Sequence, residues 1–274
     1  MSRKNLYELI SSNQTTPTKA FARLRYCFDH VEYSILTDFS SVTMSEFIEK
    51  YVFPNMPVSK KYIDLHDFME DIGLGNLDGQ KEFDDVFLFI EFILYAIEYT
   101  PSNTRMYTTM AGGEDIYAEI TRKISIVLDE TSHKIEKING FNIVVPKNYA
   151  VDQAATLASE DIAWKLYEYN HFSNNGKLDS KKTILKNIAD YIEPILQNKK
   201  GNQAAVLVSE MLNNLNIRHN NLSGNKKKAF VAKMNDETLE QWYDKTYNAI
   251  VYLLISEEWK KTKAEYEQMK GGTK

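Results

Sequence analysis

The densest group of residues able to bind and transform a phosphate lies in the segment MLNNLNIRHNNLSGNKKK, residues 211–228. Arg218 carries a planar guanidinium that can hold a phosphate through two parallel hydrogen bonds. Its neighbour His219 carries an imidazole that exchanges protons near neutral pH. The asparagine amides can orient a sugar or a base edge, and the lysines add local positive charge. These groups are sufficient to bind a phosphodiester and to cleave it without a metal ion.

Two interpretations of this segment are open. In the first, Arg218 and His219 are the catalytic pair, and the substrate is bound by Asn214, Asn220, Asn221, Lys226 and Lys227. In the second, the segment is an ordinary helix end, because cationic side chains favour a helix C-terminus and Asn and Gly commonly terminate helices. The second interpretation does not explain why the segment contains several asparagines, since one cap residue is enough to end a helix.

Other groupings of polar residues predict less. Arg23 and His30 are seven residues apart, close to two helical turns, so they would share a helix face and could hold a phosphate. The segment Ala111-Gly112-Gly113 lacks the lysine and the preceding strand of a phosphate-binding loop. The five histidines lie far apart in the sequence and there is one cysteine, so no metal site and no cofactor are predicted.

Composition restricts the class of protein. The 274 residues are 43% hydrophobic and 26% charged, as in soluble globular proteins, and suit one large domain or two smaller ones. A net charge of −5 argues against a general nucleic-acid coat protein but leaves room for a local basic patch. A single cysteine, Cys27, excludes an internal disulfide and predicts a cytoplasmic location. The apolar run at 86–97 contains Glu91 and is shorter than the roughly 18 residues needed to cross a bilayer, so no membrane association is predicted.

The elements that must position these residues are mainly helices. Apolar residues at helical spacing predict helices at about 17–37, 44–52, 60–71, 81–99, 114–134, 151–170, 180–195, 202–218 and 235–269. Asn139-Gly140 followed by a β-branched run predicts one small β-hairpin near 133–146. The predicted fold class is therefore all-α (mainly α). A helical N-terminal domain, 1–148, ends in the hairpin and packs on a C-terminal up-and-down helical bundle, 149–274.

Part of the C-terminal half resembles a known family. The segments EYNHFSNNGKLDSKKTILKNIADYIEP (168–194), LNNLNIRHNN (212–221) and DETLEQWYDKTYNAIVYLL are similar to the HEPN domains of bacterial abortive-infection and toxin proteins. The resemblance implies a helical bundle, a homodimer or a complex with a partner protein, and an antiphage protein that acts on RNA. Many HEPN domains are metal-independent ribonucleases that use an arginine, a polar residue and a histidine a few residues later.

The catalytic pattern of that family is incomplete in this chain. Arg218 matches the arginine and His219 occupies the polar position after it, but residues 223–225 are Ser-Gly-Asn where the histidine is expected. One hypothesis is a ribonuclease in which His219 transfers the proton. The alternative is a non-catalytic module that binds RNA or protein, as a subunit of a defence system or a neutralising partner. A third possibility places the function in the N-terminal half, which resembles no family known to us.

Overall fold

A computed structural model describes residues 15–30, 35–36, 41–76, 78–100, 116–197 and 201–271. The described chain is mainly helical with a small antiparallel hairpin at 133–146, which confirms the predicted fold class, and it has a second antiparallel pair of two-residue strands that was not predicted. It divides into two compact units, residues 1–146 and 147–274, whereas the sequence placed the boundary after residue 148. The segment Ala111-Gly112-Gly113 lies outside the described residues.

Within the described residues, the first unit contains five α-helices and two pairs of short strands. The helices are α1 (Pro17–Asp29), α2 (Met44–Phe47), α3 (Leu65–Asp71), α4 (Phe83–Glu98) and α5 (Ile116–Glu130). The strands are β1 (Ile35–Leu36), β2 (Ser41–Val42), β3 (His133–Ile138) and β4 (Phe141–Pro146). The prediction that the first helix runs to residue 37 was wrong, because α1 ends at Asp29 and β1 pairs with β2.

Helix α4 forms the centre of the first unit. It contacts α1 and β4, and its apolar residues are largely buried. Glu91, the carboxylate within this apolar run, accepts a hydrogen bond of 2.7 Å from the backbone N–H of Val144 in β4. The Glu91 carboxylate thus joins α4 to the hairpin. In the described part of the chain, no helix combines the length and hydrophobicity that a membrane span requires.

The hairpin forms where the turn residues predicted it. Strands β3 and β4 pair in antiparallel register from His133 opposite Pro146 to Ile138 opposite Phe141. The two turn residues, Asn139 and Gly140, have φ values of +51° and +84°. Positive φ at both central positions defines the tight hairpin turn that Asn-Gly favours.

The second unit is a helical bundle with more helices than predicted. Its helices are α6 (Tyr149–Leu157), α7 (Glu160–Tyr169), α8 (Leu178–Tyr191), α9 (Glu193–Gln197), α10 (Gln203–Asn214) and α11 (Asp236–Gly271). The helix predicted at 151–170 is broken in two, because Ala158 and Ser159 both have extended backbone angles. Helix α11 contacts α6, α8 and α10, and it carries a long buried stripe into the core.

Candidate functional site

The segment that contains Arg218 and His219 is a loop rather than a helix end. Helix α10 stops at Asn214, so the prediction of a helix through residue 218 was wrong. Asn216 then adopts a left-handed backbone with φ of +61°, a conformation that Asn tolerates better than most residues. The chain reverses there, and the backbone N–H of Arg218 donates to the carbonyl of Leu212 at 3.0 Å.

Two asparagines lock this loop through reciprocal hydrogen bonds. The Asn216 backbone N–H donates to Asn221 Oδ1 at 2.8 Å, and the Asn221 backbone N–H donates to Asn216 Oδ1 at 3.2 Å. Asn221 Nδ2 also donates to the Lys226 carbonyl at 3.0 Å, and the residue is only 1% exposed. Because Asn221 is buried and its side chain holds the loop together, a substrate cannot reach it, which corrects its assignment to substrate binding. Asn216 and Asn221, which a helix cap does not require, thus hold the loop together.

Asn220 is exposed and shapes the next turn. Its Oδ1 accepts from the backbone N–H groups of Leu222 and Ser223 at 3.1 and 3.2 Å, and its Nδ2 donates to Ser223 Oγ at 3.0 Å. Such local bonds from an Asn side chain are typical of turns. Asn220 thus fixes the backbone beside His219, and one face of the residue still borders the groove described next.

A groove of about 460 Å³ lies between α8 and this loop. It is lined by Asp179, Lys182, Thr183, Lys186, Ile217, Arg218, His219 and Asn220. The lining includes three permanently charged cations and one carboxylate, so the groove is positively charged in a chain whose net charge is negative. Of the residues predicted to form a site, Arg218, His219 and Asn220 meet here. Asn214, Lys226 and Lys227 are not among the residues that line the groove.

Arg218 is partly engaged by the protein itself. Its Nη2 donates to the Ala189 carbonyl at 3.0 Å and forms an ion pair with Glu193 Oε2, and the side chain is 18% exposed. These bonds anchor the guanidinium to the end of α8 and the start of α9. Within the described residues, Nε and Nη1 have no protein acceptor. Single donors on Nε and Nη1 therefore remain for a ligand, whereas Nη2 is already occupied.

The imidazole of His219 is oriented by a lysine of the same loop. Lys226 Nζ lies 3.2 Å from His219 Nδ1. An ammonium group has hydrogen-bond donors only, so Nδ1 is the acceptor, and the neutral ring carries its proton on Nε2. Lys226 thus contacts the candidate catalytic residue, and any proton exchange with a ligand would take place at Nε2.

A buried ion-pair network holds α8 in position. Lys181 Nζ lies 2.8 Å from both Glu240 Oε1 and Asp244 Oδ1 of α11. Burial alone would lower the pKa of Lys181, but the hydrogen bonds to the two carboxylates outweigh it and raise the pKa. The Tyr169 hydroxyl donates to Asp244 at 2.9 Å, and its ring stacks on Tyr247 with centroids 4.2 Å apart. The network fixes the helix whose other side supplies lysines to the groove.

Sequence reasoning missed the contribution of α8 to the groove. Lys182 and Lys186 are four residues apart and lie on the opposite side of the helix from the buried Ile184, Leu185 and Ile188. Their spacing indicates a cationic helix face. Nothing in that spacing indicates that residues near 218 lie opposite it, because this follows from how the helices pack.

The pairing of Arg23 with His30 does not form a phosphate site. Arg23 Nη1 forms an ion pair of 2.7 Å with Glu130 on α5. The His30 ring instead stacks on Tyr26 with centroids 4.1 Å apart. The two residues therefore have separate partners, which corrects the hypothesis that they act together.

In the described ranges, no group of three or more His, Cys, Asp or Glu residues is arranged to hold a metal ion. Comparisons with protein-family models, with curated proteins and with solved structures found no significant match to this chain.

Proposed function

We propose that the second unit binds RNA in the groove between α8 and the loop at 217–220, as the HEPN-like domain of a cytoplasmic antiphage protein of the abortive-infection or toxin type. The observation that carries the proposal is the convergence of Lys182, Lys186 and Arg218 on one groove. The resemblance of 168–194 and 212–221 to HEPN domains adds the expectation of RNA as the polyanion.

The charges around the groove favour a phosphodiester ligand. Lysines neutralise phosphates as point charges, and Arg218 adds single hydrogen-bond donors on Nε and Nη1. The volume of about 460 Å³ is within the range of small-ligand pockets, roughly 300–1,000 Å³. A nucleotide would fit, with the rest of the strand following the exposed surface.

Binding without cleavage is the function that the geometry supports best. The Arg218 guanidinium already has Glu193 as a counterion, which reduces the charge it can offer to a transition state. The histidine that completes the HEPN pattern is also absent from 223–225. An RNA-binding subunit of a defence system, or a neutralising partner, requires neither feature.

Metal-independent cleavage is the second candidate, favoured because Arg218 and His219 line the same groove. In that mechanism the free donors on Arg218 Nε and Nη1 would stabilise negative charge developing on the phosphate. His219 would donate its Nε2 proton to the leaving 5′-oxygen and take a replacement proton at Nδ1 from Lys226, while the proton of the attacking 2′-hydroxyl would pass to water. The bond between phosphorus and the leaving 5′-oxygen would break as the 2′-oxygen attacks, and no metal ion is needed.

Fluorescence anisotropy with a labelled single-stranded RNA tests the binding proposal. The variant Lys182→Gln/Lys186→Gln should weaken binding, and the slope of log K against log salt should fall by about 1.4, near 0.7 for each lost phosphate contact on a single strand. Lys233→Gln is the matched control, since Lys233 is exposed in the same unit and does not line the groove. Equal affinity for the double variant and the wild type would refute the groove as the RNA site.

Cleavage is tested separately with total RNA in the presence of a chelator. A ribonuclease should cut under these conditions, His219→Gln should abolish cutting, and the same variant should bind RNA with unchanged affinity. In cells, Arg218→Ala and His219→Ala should relieve toxicity, and full toxicity in both variants would exclude this catalytic pair. Intact RNA combined with groove-dependent binding would identify the chain as a binding module.

A further inference from the structure

Helix α11 is much longer than the helices it packs against. It contains 36 residues, about 54 Å at 1.5 Å per residue, whereas α8, the longest of the other helices described in this unit, has 14. Its buried residues in the bundle are Leu239, Tyr243, Thr246, Tyr247, Ile250, Val251, Leu253 and Leu254. Every residue from 259 to 271 is exposed. The last part of the helix therefore extends past the residues that bury it.

A second apolar stripe begins where the first one ends. Steps of three and four residues connect Tyr252, Ile255, Trp259, Thr262, Tyr266 and Met269. Such spacing is the heptad pattern of a coiled coil, with 252, 259 and 266 at position a and the others at position d. The three aromatic side chains at position a are 65%, 64% and 56% exposed in chain order.

This stripe is not a continuation of the bundle-facing one. At about 100° per residue, positions 259 and 266 project on the side of the helix opposite Ile250, whereas Ile255, at the start of the stripe, still packs partly against the bundle core. The bundle-facing stripe, extended beyond Leu253, continues through Glu257, Lys260, Ala264 and Glu267. Beyond the bundle, α11 is thus polar on the side that continues the bundle-facing stripe and apolar on the other side.

The charges beside the stripe select its partner. Glu258 and Glu265 fall at position g, and Lys263 and Lys270 fall at position e. In a parallel pair, each g residue lies beside the e residue five positions further along the other helix, so Glu258 meets Lys263 and Glu265 meets Lys270. In an antiparallel pair, glutamates would face glutamates and lysines would face lysines. The charges of two copies of this helix are therefore complementary only when the helices run parallel.

We propose that residues 252–270 of α11 pair with the same residues of a second copy as a parallel two-stranded coiled coil. The bonds that these charges now make within one helix do not oppose the pairing. Lys261 lies 3.3 Å from Glu258, and both side chains are exposed, so this contact contributes little and is easily exchanged. The inference is independent of the proposed RNA groove, because none of its residues lines that groove.

Charge reversal tests the proposal in the full-length chain, by light scattering after size-exclusion chromatography. The wild type should have twice the 31.7 kDa mass of one chain. Glu258→Lys/Glu265→Lys and Lys263→Glu/Lys270→Glu should each be monomeric, because like charges then flank the stripe. An equimolar mixture of the two variants should recover the doubled mass as a heterodimer. Lys260→Glu/Glu267→Lys, which reverses two charges away from the stripe, should remain dimeric.

A cysteine placed near the helix end tests the orientation. Met269→Cys should form a disulfide-linked dimer on mild oxidation, since equal d positions adjoin only in the parallel arrangement. The natural Cys27 is buried, so the wild type serves as the control. A monomeric wild type at about 100 μM would overturn the proposal, as would charge variants that remain dimeric. Two monomeric variants that fail to combine, with circular dichroism showing both folded, would also overturn it. Binding of a different helical partner by a monomeric wild type would assign the stripe to that partner instead.

Discussion

The contacts of Lys181 predict that Lys181→Met destabilises the second unit. Methionine keeps the length and apolar stem of the side chain but removes the ammonium group. That group lies 2.8 Å from Glu240 Oε1 and from Asp244 Oδ1, which are both on α11. The substitution therefore removes the ion pairs that join α8 to α11 while it preserves packing.

The size of the effect depends on how well the remaining carboxylates are solvated. Removing one partner of a fully buried ion pair costs about 3–5 kcal/mol, because the other charge stays buried and unpaired. Here the side chains of Glu240 and Asp244 are 21% and 45% exposed, so water can reach both. Glu240 also keeps its bond from the Gly176 N–H, and Asp244 keeps its bond from Tyr169. We therefore expect a loss of about 2 kcal/mol, typical of hydrogen bonds to charged groups.

Urea unfolding followed by tryptophan fluorescence measures this loss in the correct unit. All three tryptophans, Trp164, Trp242 and Trp259, lie within residues 147–274. The midpoint should fall at an unchanged m value. Lys186→Met, an exposed lysine on the same helix, is the control and should change the free energy of unfolding by less than about 0.5 kcal/mol. Equal midpoints for the two variants would refute the reasoning.

The pH dependence of the same difference has a definite sign. Burial alone would raise the pKa of Glu240, but the bonds from Lys181 and Gly176 outweigh it, and the pKa lies below its ordinary value. This stabilisation is complete above the unfolded pKa of about 4.3 and is lost as the pH falls through the folded value. The raised pKa of Lys181 gives stabilisation that is complete below about 10.4 and is lost as the pH rises through the folded value. The difference between wild type and Lys181→Met should therefore be constant near neutral pH and shrink at both extremes.

Three further substitutions test individual buried contacts. Asn221→Ala leaves the Asn216 N–H without an acceptor and should lower the free energy of unfolding by about 2–3 kcal/mol in the same urea assay. An unchanged free energy would show that Asn221 does not lock this loop. Tyr247→Phe removes a hydroxyl that donates to the Leu166 carbonyl at 2.7 Å, and a loss of about 1–3 kcal/mol is expected by fluorescence. Glu91→Ala removes the acceptor of a hairpin N–H in the first unit and should lower its stability by about 1–3 kcal/mol, measured by circular dichroism because the tryptophans do not report on that unit.

Elements governed by local interactions could be predicted from the sequence. Asn139-Gly140 predicts the hairpin turn because few other residue pairs adopt positive φ twice at low cost. Asn235 was expected near the start of the last helix, and its Oδ1 accepts from the Thr238 N–H at 2.9 Å. In each case the residues that decide the structure are within a few positions of one another.

The errors arise where a residue type suits two local structures. Asn216 is compatible with a strained helix interior or with a left-handed turn. Its reciprocal bonds to Asn221 select the turn, and sequence periodicity contains no information about that pairing. The helix predicted at 151–170 failed similarly, because the apolar spacing continues across the break at Ala158 and Ser159.

By itself, the sequence determined that this protein is mainly helical and where its hairpin turns, and it singled out the adjacent Arg218 and His219 as candidates for binding a phosphate. Only the tertiary structure decided that Lys182 and Lys186 face that pair and that Glu193 neutralises part of it. The physical reason is the separation along the chain over which each kind of interaction acts. Backbone preferences and apolar periodicity act over a few residues, whereas the groove and its charge depend on how segments 25 or more residues apart pack together.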